Sequence, residues 1–217
     1  AGEDGDFSEN TLIKRNNAEL ADSLGNLLQR TLVLIHKNYQ GKIPNCGKIT
    51  SYEKELEKLI PEISQLNELM QKNQWHHVVE QIWNYINKCN KYVAETEPWK
   101  QQGERLDTIL YTLIEHLRII SILTWCIIPT SAEKIASQLG QPIGKLKDAK
   151  FKKTTHGIVS QPEILFKKIN SKTQELDPFS KINLKTAKIE KVELHPNADK
   201  LYVLTLDAGE EKRQIVA

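Results

Sequence analysis

The chain has 217 residues, of which 39% are hydrophobic and 27% charged, as is usual for a soluble globular protein of one large or two small domains. The net charge of +2 conceals two regions of opposite sign, because residues 1–140 carry 15 basic and 18 acidic side chains whereas residues 141–217 carry 15 and 10. No apolar run approaches the roughly 20 residues of a membrane helix, the acidic N-terminus is unlike a signal peptide, and three scattered cysteines without a CxxC pair argue against a disulfide framework or a zinc knuckle.

The first predicted helix covers residues 15–39 and carries two candidate binding residues. At about 100° per residue, one face of this helix collects six aliphatic residues and a threonine: Leu20, Leu24, Leu27, Leu28, Thr31, Leu34 and Ile35. Asn26 and Arg30 lie on the opposite face, one turn apart, so that their side chains project side by side. A planar amide beside a planar guanidinium suits the hydrogen-bonding edges of bases exposed in an RNA loop. The alternative interpretation is an ordinary polar pair on a solvated helix face.

Two further helices follow a turn-rich link. The second covers about residues 52–71, with a weak N-terminal cap because Ser51 has no acidic partner three residues on. The third has the clearest apolar spacing in the chain, from Trp75 to Val93. It ends at the sequence Glu97-Pro98-Trp99, because the residue before a proline is pushed out of helical geometry.

The fourth and fifth helices complete the helical part of the sequence. The fourth runs from about Gly103 to Ile128, where Pro129 ends it. The fifth begins at Thr130, with Glu133 completing a capping box, and Gly140 provides a left-handed residue after its end. Long amphipathic helices with short links predict an antiparallel helix bundle.

Trp99 is a third candidate binding residue. It follows Pro98 just outside a helix end, whereas the other three tryptophans (75, 83 and 125) lie on helical stripes and are predicted to pack in the core. An exposed aromatic ring beside a proline can act as a stacking platform for an unpaired base, a contact worth about 1–3 kcal/mol. The alternative is a hydrophobic plug beneath the following loop.

Helical periodicity stops after Gly140. Residues 141–172, here called the strap, contain eight lysines against two acidic residues, and are predicted to close over the bundle as an irregular segment that includes at most a short hairpin. Residues 170–178 are a predicted polar linker. An alternating apolar and charged pattern then predicts half-buried strands at 184–194, 201–209 and 213–217, the last of which stops in mid-strand.

Catalytic and metal-binding arrangements are not found in the sequence. No GxGxxG, GxxxxGK[ST] or HExxH motif is present, and no histidine is combined with a serine or cysteine in a recognisable pattern. His76 and His77 are adjacent, so on a helix they point about 100° apart and do not suit one metal ion. We therefore expect no catalytic residue and no metal ligand in this chain.

Two sequence stretches resemble a known family. NAELADSLGNLLQRTL and, some sixty residues later, NKYVAETEPW closely resemble the anticodon-binding helical domain of methionyl-tRNA synthetase. The last forty residues look like the opening of the oligonucleotide-binding-fold module that is often appended to that enzyme. The resemblance implies a mainly α fold, namely a helix bundle of the class I synthetase anticodon-binding type followed by an incomplete β-barrel of oligonucleotide-binding-fold type.

The resemblance also implies roles for individual residues and boundaries for the domains. Anticodon binding falls to Asn26, Arg30, Pro98 and Trp99. Binding of the tRNA backbone falls to lysines of the strap and the β module: Lys152, Lys153, Lys167, Lys168, Lys185, Lys188 and Lys200. The expected domains are residues 1–169 for the helical domain with its strap and residues 179–217 for the β module.

The family further implies partners and cofactors. The expected partner is a methionine-accepting tRNA, with no membrane contact, in the cytoplasm, and the β module could pair with that of a second copy. No cofactor is expected in this stretch, because ATP and methionine would bind a catalytic domain whose segments it lacks. Two alternatives are a free-standing tRNA-binding cofactor that acts in trans and a helical scaffold that binds proteins.

Overall fold

The structure is a computed structural model that describes residues 8–151, 156–170, 186–209 and 211–217. It divides into two compact units, residues 1–171 and residues 172–217. The first unit is helical: α1 Glu9–Arg15, a π-helical segment Asn16–Gly25, α2 Asn26–Tyr39, α3 Ser51–Lys58, α4 Ile63–Gln71, α5 Trp75–Thr96, α6 Gly103–Thr124 and α7 Pro129–Gln138. The second contains β1 Lys188–Leu194, β2 Tyr202–Asp207 and β3 Lys212–Val216. The predicted class, mainly helical with a small β unit after the helices, is confirmed.

The sequence predicted one regular helix over residues 15–39. The structure has a continuous helical stretch from Glu9 to Tyr39, but its middle part is π-helical. The residues at its two internal junctions, Asn16 and Asn26, keep right-handed helical angles. Between them the π-helical segment takes five residues to close each hydrogen-bonded turn, and the backbone N–H of Asn26 bonds to the carbonyl of Ala21. The wider turn changes the buried face, so that Ser23 and Gly25 are buried while Leu20, predicted to face the core, is half-buried.

The predicted second helix is two helices. α3 and α4 are separated by four residues that include Pro61, which has no backbone N–H to continue a helix. The weak cap predicted at Ser51 is also wrong, because Thr50 is the capping residue and Glu53 is its acidic partner. The Glu53 carboxylate accepts from the backbone N–H of Thr50 at 2.8 Å and from its hydroxyl at 2.6 Å.

α6 is the central element of the helical unit, and from Thr108 to Thr124 each of its side chains is buried. It ends at Thr124, four residues before the predicted end, and α7 then begins at Pro129 with Ile128 as its cap. The capping box predicted at Thr130 and Glu133 is therefore wrong. Glu133 instead accepts a hydrogen bond from the indole of Trp125 at 3.3 Å.

Buried polar groups of α6 fix the first part of the strap. Arg118 is paired with the fully buried Glu115, and its guanidinium also donates to the carbonyls of Asp148 at 3.0 Å and Lys150 at 2.7 Å. The buried guanidinium therefore provides hydrogen-bond donors for two backbone carbonyls that would otherwise need water as a partner.

No helix in the described part of the chain is both long and apolar enough to cross a bilayer.

The strap is irregular, as predicted, but it forms no hairpin within its described residues. Its apolar residues around Ile158 bridge instead to the turn after α2: the N–H of Ile43 donates to Gly157 at 3.0 Å and that of Val159 donates to Gly41 at 2.8 Å. Gly140, predicted to be left-handed, has φ of +65°, and a Cβ there would lie 2.2 Å from the carbonyl oxygen of Ile158. The turn that directs the strap therefore requires glycine.

The strands of the second unit form one antiparallel sheet in the order β1-β2-β3. Val192 lies opposite Leu204, and Leu204 lies opposite Ile215. The prediction of half-buried strands is wrong for β1 and β3, whose residues are all exposed. A register irregularity between Ile189 and Lys191 interrupts the alternation of β1. The predicted linker, 170–178, lies outside the described residues except for Asn170.

Candidate nucleic-acid interface

The outer face of α2 presents the first candidate residues because its other side is committed to the core. Leucines, a threonine and an isoleucine fill the buried side: Leu27, Leu28, Thr31, Leu32 and Ile35. Asn26 and Arg30 remain half-buried on the outer side, with Gln29 exposed between them in sequence. Polar groups that are partly enclosed in this way keep fixed directions but remain accessible to a ligand.

The turn after α5 presents Trp99. α5 ends at Thr96, and Glu97 then adopts a left-handed conformation with φ of 44°, which is rare for a residue other than glycine. Pro98 follows as a buried residue and opens a short 3-10 turn, so that the indole of Trp99 stands outside it, 48% exposed. An ion pair between Lys100 and Glu97, at 2.7 Å, closes the same turn. The backbone thus holds the indole in place without burying it.

The two elements meet at one pocket. The Arg30 guanidinium lies over the Trp99 ring, 5.0 Å from its centroid, in a cation–π contact. Asn26, Gln29, Arg30, Val33, Leu34 and Trp99 line an open pocket of about 320 Å³. The three residues selected from the sequence therefore lie around one cavity, although Trp99 comes from a turn sixty-nine positions after Arg30.

The exposure of the tryptophans decides between the interpretations of the sequence. Trp99 is 48% exposed, so it is not a hydrophobic plug beneath a loop. The prediction that the other tryptophans pack in the core is wrong for Trp75 and Trp125, which are 40% and 49% exposed, and holds only for the partly buried Trp83. Both exposed residues lie close to a helix end, at the start of α5 and just after α6, where a stripe of apolar spacing no longer implies burial.

The predicted backbone-binding lysines are distributed over both units. Lys167 and Lys168 line a second pocket beside the first, and Lys168 pairs with Asp22 at 2.7 Å. Lys188 and Lys200 are exposed in the β unit, in β1 and in the turn before β2. The remaining three, Lys152, Lys153 and Lys185, lie outside the described residues.

The chemistry of the first pocket is that of recognition. A planar indole, a guanidinium and two amides offer one stacking surface together with hydrogen-bond donors and acceptors. The groups with strongly shifted pKa values lie in the core instead. Burial, together with the nearby charge of Arg118, lowers the pKa of His116 to about 3, and burial raises the pKa of the Cys89 thiol. Among the described residues, no three histidines, cysteines or carboxylates are grouped in a way that could hold a metal ion.

Three residues of the first pocket were not predicted from the sequence: Gln29, Val33 and Leu34. Gln29 is three positions after Asn26 and Val33 is three positions after Arg30, so a helical projection centred on the selected pair would have found both. Leu34 was assigned to the apolar face, and it lies at the border between that face and the pocket.

Two protein families match the chain. Residues 43–180 match the family described as “Anticodon binding domain of methionyl tRNA ligase”, and residues 184–217 match the family described as “Putative tRNA binding domain”. The first match begins after α2, so it covers Trp99 but not Asn26 or Arg30.

Relatives that extend over the whole chain are methionine–tRNA ligases. One from Caldanaerobacter subterraneus is 34% identical over 99% of this chain and 39% of the relative. One from Thermotoga maritima is 33% identical over 100% of this chain and 38% of the relative. The chain therefore spans about two fifths of the length of these relatives.

Solved structures that resemble this chain are also of methionyl-tRNA synthetase. The free methionyl-tRNA synthetase of Mycobacterium tuberculosis superposes with a TM-score of 0.73 at 29% identity, over 77% of this chain and 36% of that one. The same enzyme in complex with methionyl-adenylate superposes with a TM-score of 0.70 at 31% identity, over 76% of this chain and 34% of that one.

Proposed function

The chain belongs to the methionyl-tRNA ligase family, with the anticodon-binding domain of that family and a tRNA-binding domain after it, and we propose that it reads the methionine anticodon of a tRNA. In this proposal the pocket between α2 and the turn after α5 receives an unpaired anticodon base. The strap and the β unit hold the phosphate backbone.

One observation carries the proposal, namely the placement of the Arg30 guanidinium over the exposed Trp99 ring in a pocket that also contains Asn26. A base entering the pocket can stack on the free part of the indole, while the guanidinium and the amide reach its polar edges. RNA loops are usually read in this way, with splayed bases that stack on aromatic rings and bond through their edges. Pro98 contributes by fixing the turn that presents Trp99.

Charge supports the second part of the proposal. Four of the predicted backbone-binding lysines are exposed in the described parts of the strap and the β unit: Lys167, Lys168, Lys188 and Lys200. Exposed lysines bind phosphates without distinguishing bases. We therefore expect these contacts to contribute affinity to every tRNA and the pocket to contribute the discrimination.

The wider reaction is proposed from the relatives. They are ligases that join methionine to tRNA, and we place the ATP and methionine sites in a catalytic part that does not belong to this stretch. We also place the protein in the cytoplasm, where translation uses such ligases. Within the described residues, β1 and β3 are the edge strands of the sheet, and edge strands can pair with another chain, so a homodimer through the β unit is part of the proposal.

The alternatives from other functional classes are not favoured. A cofactor acting in trans, or a scaffold that binds only proteins, would have little reason to match ligases over the entire chain at 33–34% identity. A salt titration with bulk tRNA also separates the scaffold from the proposal, because phosphate binding weakens as salt is added.

The deciding experiment is binding of the chain to a short anticodon stem-loop that carries the methionine anticodon. Matched stem-loops with one anticodon base changed serve as controls for sequence-independent affinity. We expect at least one change to weaken binding by about 1–3 kcal/mol, or roughly 5- to 150-fold. Equal affinity for every loop sequence would contradict anticodon reading and leave only backbone binding.

A further inference from the structure

A second pocket adjoins the first on the surface of α2. It has a volume of about 410 Å³, and Asn26 and Gln29 line both pockets. On its far side it is bounded by Asp22 from the π-helical segment and by Phe166 and Lys168 from the strap. The two pockets are therefore neighbours that share two lining residues of α2.

The strap side of the second pocket is fixed to the helix. The Asn17 side chain donates to the carbonyl of Ile169 at 2.8 Å and accepts from its N–H at 2.9 Å, as a neighbouring peptide group would do. Phe166 packs where the helix carries Gly25, since a Cβ there would lie 3.5 Å from the Phe166 ring. The aromatic ring of this strap residue therefore lies beside the helix at Gly25.

The pocket has the chemistry of a base site. The half-buried Phe166 ring offers a stacking surface, and Asp22 offers carboxylate oxygens that accept hydrogen bonds from amino groups. One of these oxygens pairs with Lys168 at 2.7 Å, which places a cation at the rim where a phosphate would pass. Because a carboxylate is an acceptor only, it suits the exocyclic amino groups of adenine, cytosine and guanine, whereas uracil has no amino group and offers its N3–H as the one donor of its pairing edge.

We propose that this second pocket binds the unpaired base next to the one that stacks on Trp99. Phe166 stacks on that base, and Asp22 accepts a hydrogen bond from its exocyclic amino group. The strap is then a specificity element in addition to a source of positive charge. This inference rests on the proposed function, because it assigns the neighbouring nucleotide of the same RNA loop.

The first test combines protein variants with stem-loops in which each anticodon base in turn is removed to leave an abasic site. We expect Phe166→Ala to weaken binding to the intact loop at least fivefold, and removal of one particular base to abolish that effect. Trp99→Ala should couple in the same way to the adjacent base. Phe166→Leu keeps an apolar contact at Gly25 but cannot stack, so it should reproduce the loss without disturbing the strap. Ile158→Ala, an exposed strap residue outside the pocket, is the matched control and should change nothing.

The outcomes separate this inference from the proposed function. If Phe166→Ala and Phe166→Leu weaken all loops equally, including each abasic one, Phe166 is structural and the second pocket is not a base site. If Trp99→Ala couples to one base in that same experiment, the proposed function stands while the inference fails. If neither residue couples to any base, both are wrong.

The second test concerns the amino group. The base that couples to Phe166 is replaced by an analogue without its amino group, such as purine in place of adenine, and the affinity ratio of the two loops is measured. The ratio should exceed five for the unmodified protein and fall towards one for Asp22→Ala. Using a ratio cancels the general gain in RNA affinity expected when a negative charge is removed. An unchanged ratio, or a coupled base that is uracil, would refute a hydrogen bond from an exocyclic amino group to Asp22.

Discussion

Replacing Trp99 with alanine tests whether the exposed indole binds RNA or stabilises the protein. The residue is 48% exposed, lies on a short turn, and contacts the guanidinium of Arg30. Half of its surface is already in water, so truncation forfeits only the buried half, on the order of 2 kcal/mol, and the buried Pro98 still anchors the turn. We therefore expect the protein to remain folded, with the unfolding transition lowered by a few degrees.

The expected loss in binding follows from the contacts that disappear. Stacking of one base on an aromatic ring contributes about 1–3 kcal/mol, so that Kd for the methionine anticodon stem-loop should rise roughly 5- to 150-fold. Arg30→Ala should cost a similar amount, because a guanidinium that bonds to a base edge is lost. The double variant should lose less than the sum by about 0.5–1 kcal/mol, since the indole also holds the guanidinium in place.

The assay is a fluorescence anisotropy titration with a labelled stem-loop, accompanied by thermal unfolding of each variant. Trp125→Ala is a close control, because Trp125 is 49% exposed and lies beside a different pocket, with Met70 and Ile122. It should bind the stem-loop with unchanged Kd. A fall in Tm for Trp99→Ala with unchanged Kd would show that the indole is structural, and an equal loss for Trp125→Ala would show that exposed indoles bind RNA without regard to position.

Further predictions concern charge, pH and the sheet. Replacing Lys167 and Lys168 with glutamine should flatten the dependence of log Kd on log salt by about 0.7 per lysine, measured with any tRNA. Burial alone would raise the pKa of Glu53, but hydrogen bonds from Thr50, Tyr92 and Arg105 outweigh it and lower that pKa. The ionised carboxylate therefore stabilises the fold at neutral pH, and this stabilisation is lost as pH falls below about 4.5. Glu53→Gln should lower the unfolding free energy by roughly 2–3 kcal/mol at pH 7 and by much less at pH 3, as measured in denaturant titrations. The pKa of His116 is lowered to about 3 in the folded protein. Between pH 3 and pH 6.5 this histidine is therefore neutral when folded and protonated when unfolded, so acidification should lower the unfolding free energy by up to about 1.4 kcal/mol per pH unit. His116→Asn should remove this contribution to the slope. Amides of β1 and β3 should exchange hydrogen rapidly in dilute protein and more slowly as protein concentration rises, whereas those of α6 should be protected at every concentration; equal protection of strands and α6 in dilute solution would contradict pairing between copies.

The sequence predicted correctly those helices whose apolar spacing and end signals lie within the helix itself. α5 lies where the apolar spacing and Pro98 placed it, from Trp75 to Thr96. Arg30 and Trp99 were selected separately, one from the polar face of a helix and the other from its place after a proline, and the structure brings the guanidinium to 5.0 Å from the ring centroid. Their role in reading an anticodon stays a prediction.

The errors have physical causes that periodicity does not report. The apolar spacing of residues 16–25 does not distinguish a π-helical turn from an α-helical one, and Phe166, which lies beside Gly25, follows it by 141 positions in the sequence. Pro61 indicated the break between α3 and α4, but the apolar residues on both sides of it keep helical spacing, and this spacing led to the prediction of one continuous helix. The alternating pattern of β1 correctly indicated that one face of the strand is apolar. Such a pattern does not tell whether another element packs on that face, and the residues of β1 are exposed.

The bonds that hold the strap have a consequence for the order of folding. His36 bonds to Ser160 and Asn17 to Ile169, pairs that are 124 and 152 residues apart, whereas each helix closes its own turns locally. Contacts between distant residues bear the greatest loop-closure entropy, so they form after the local ones. Within the helical unit, we therefore expect the strap to dock after the helices have packed, and to open more readily than they do. A protease that cleaves only opened chain should cut between residues 160 and 170 first, and it would remove the wall of the second pocket while leaving Arg30 and Trp99 in contact.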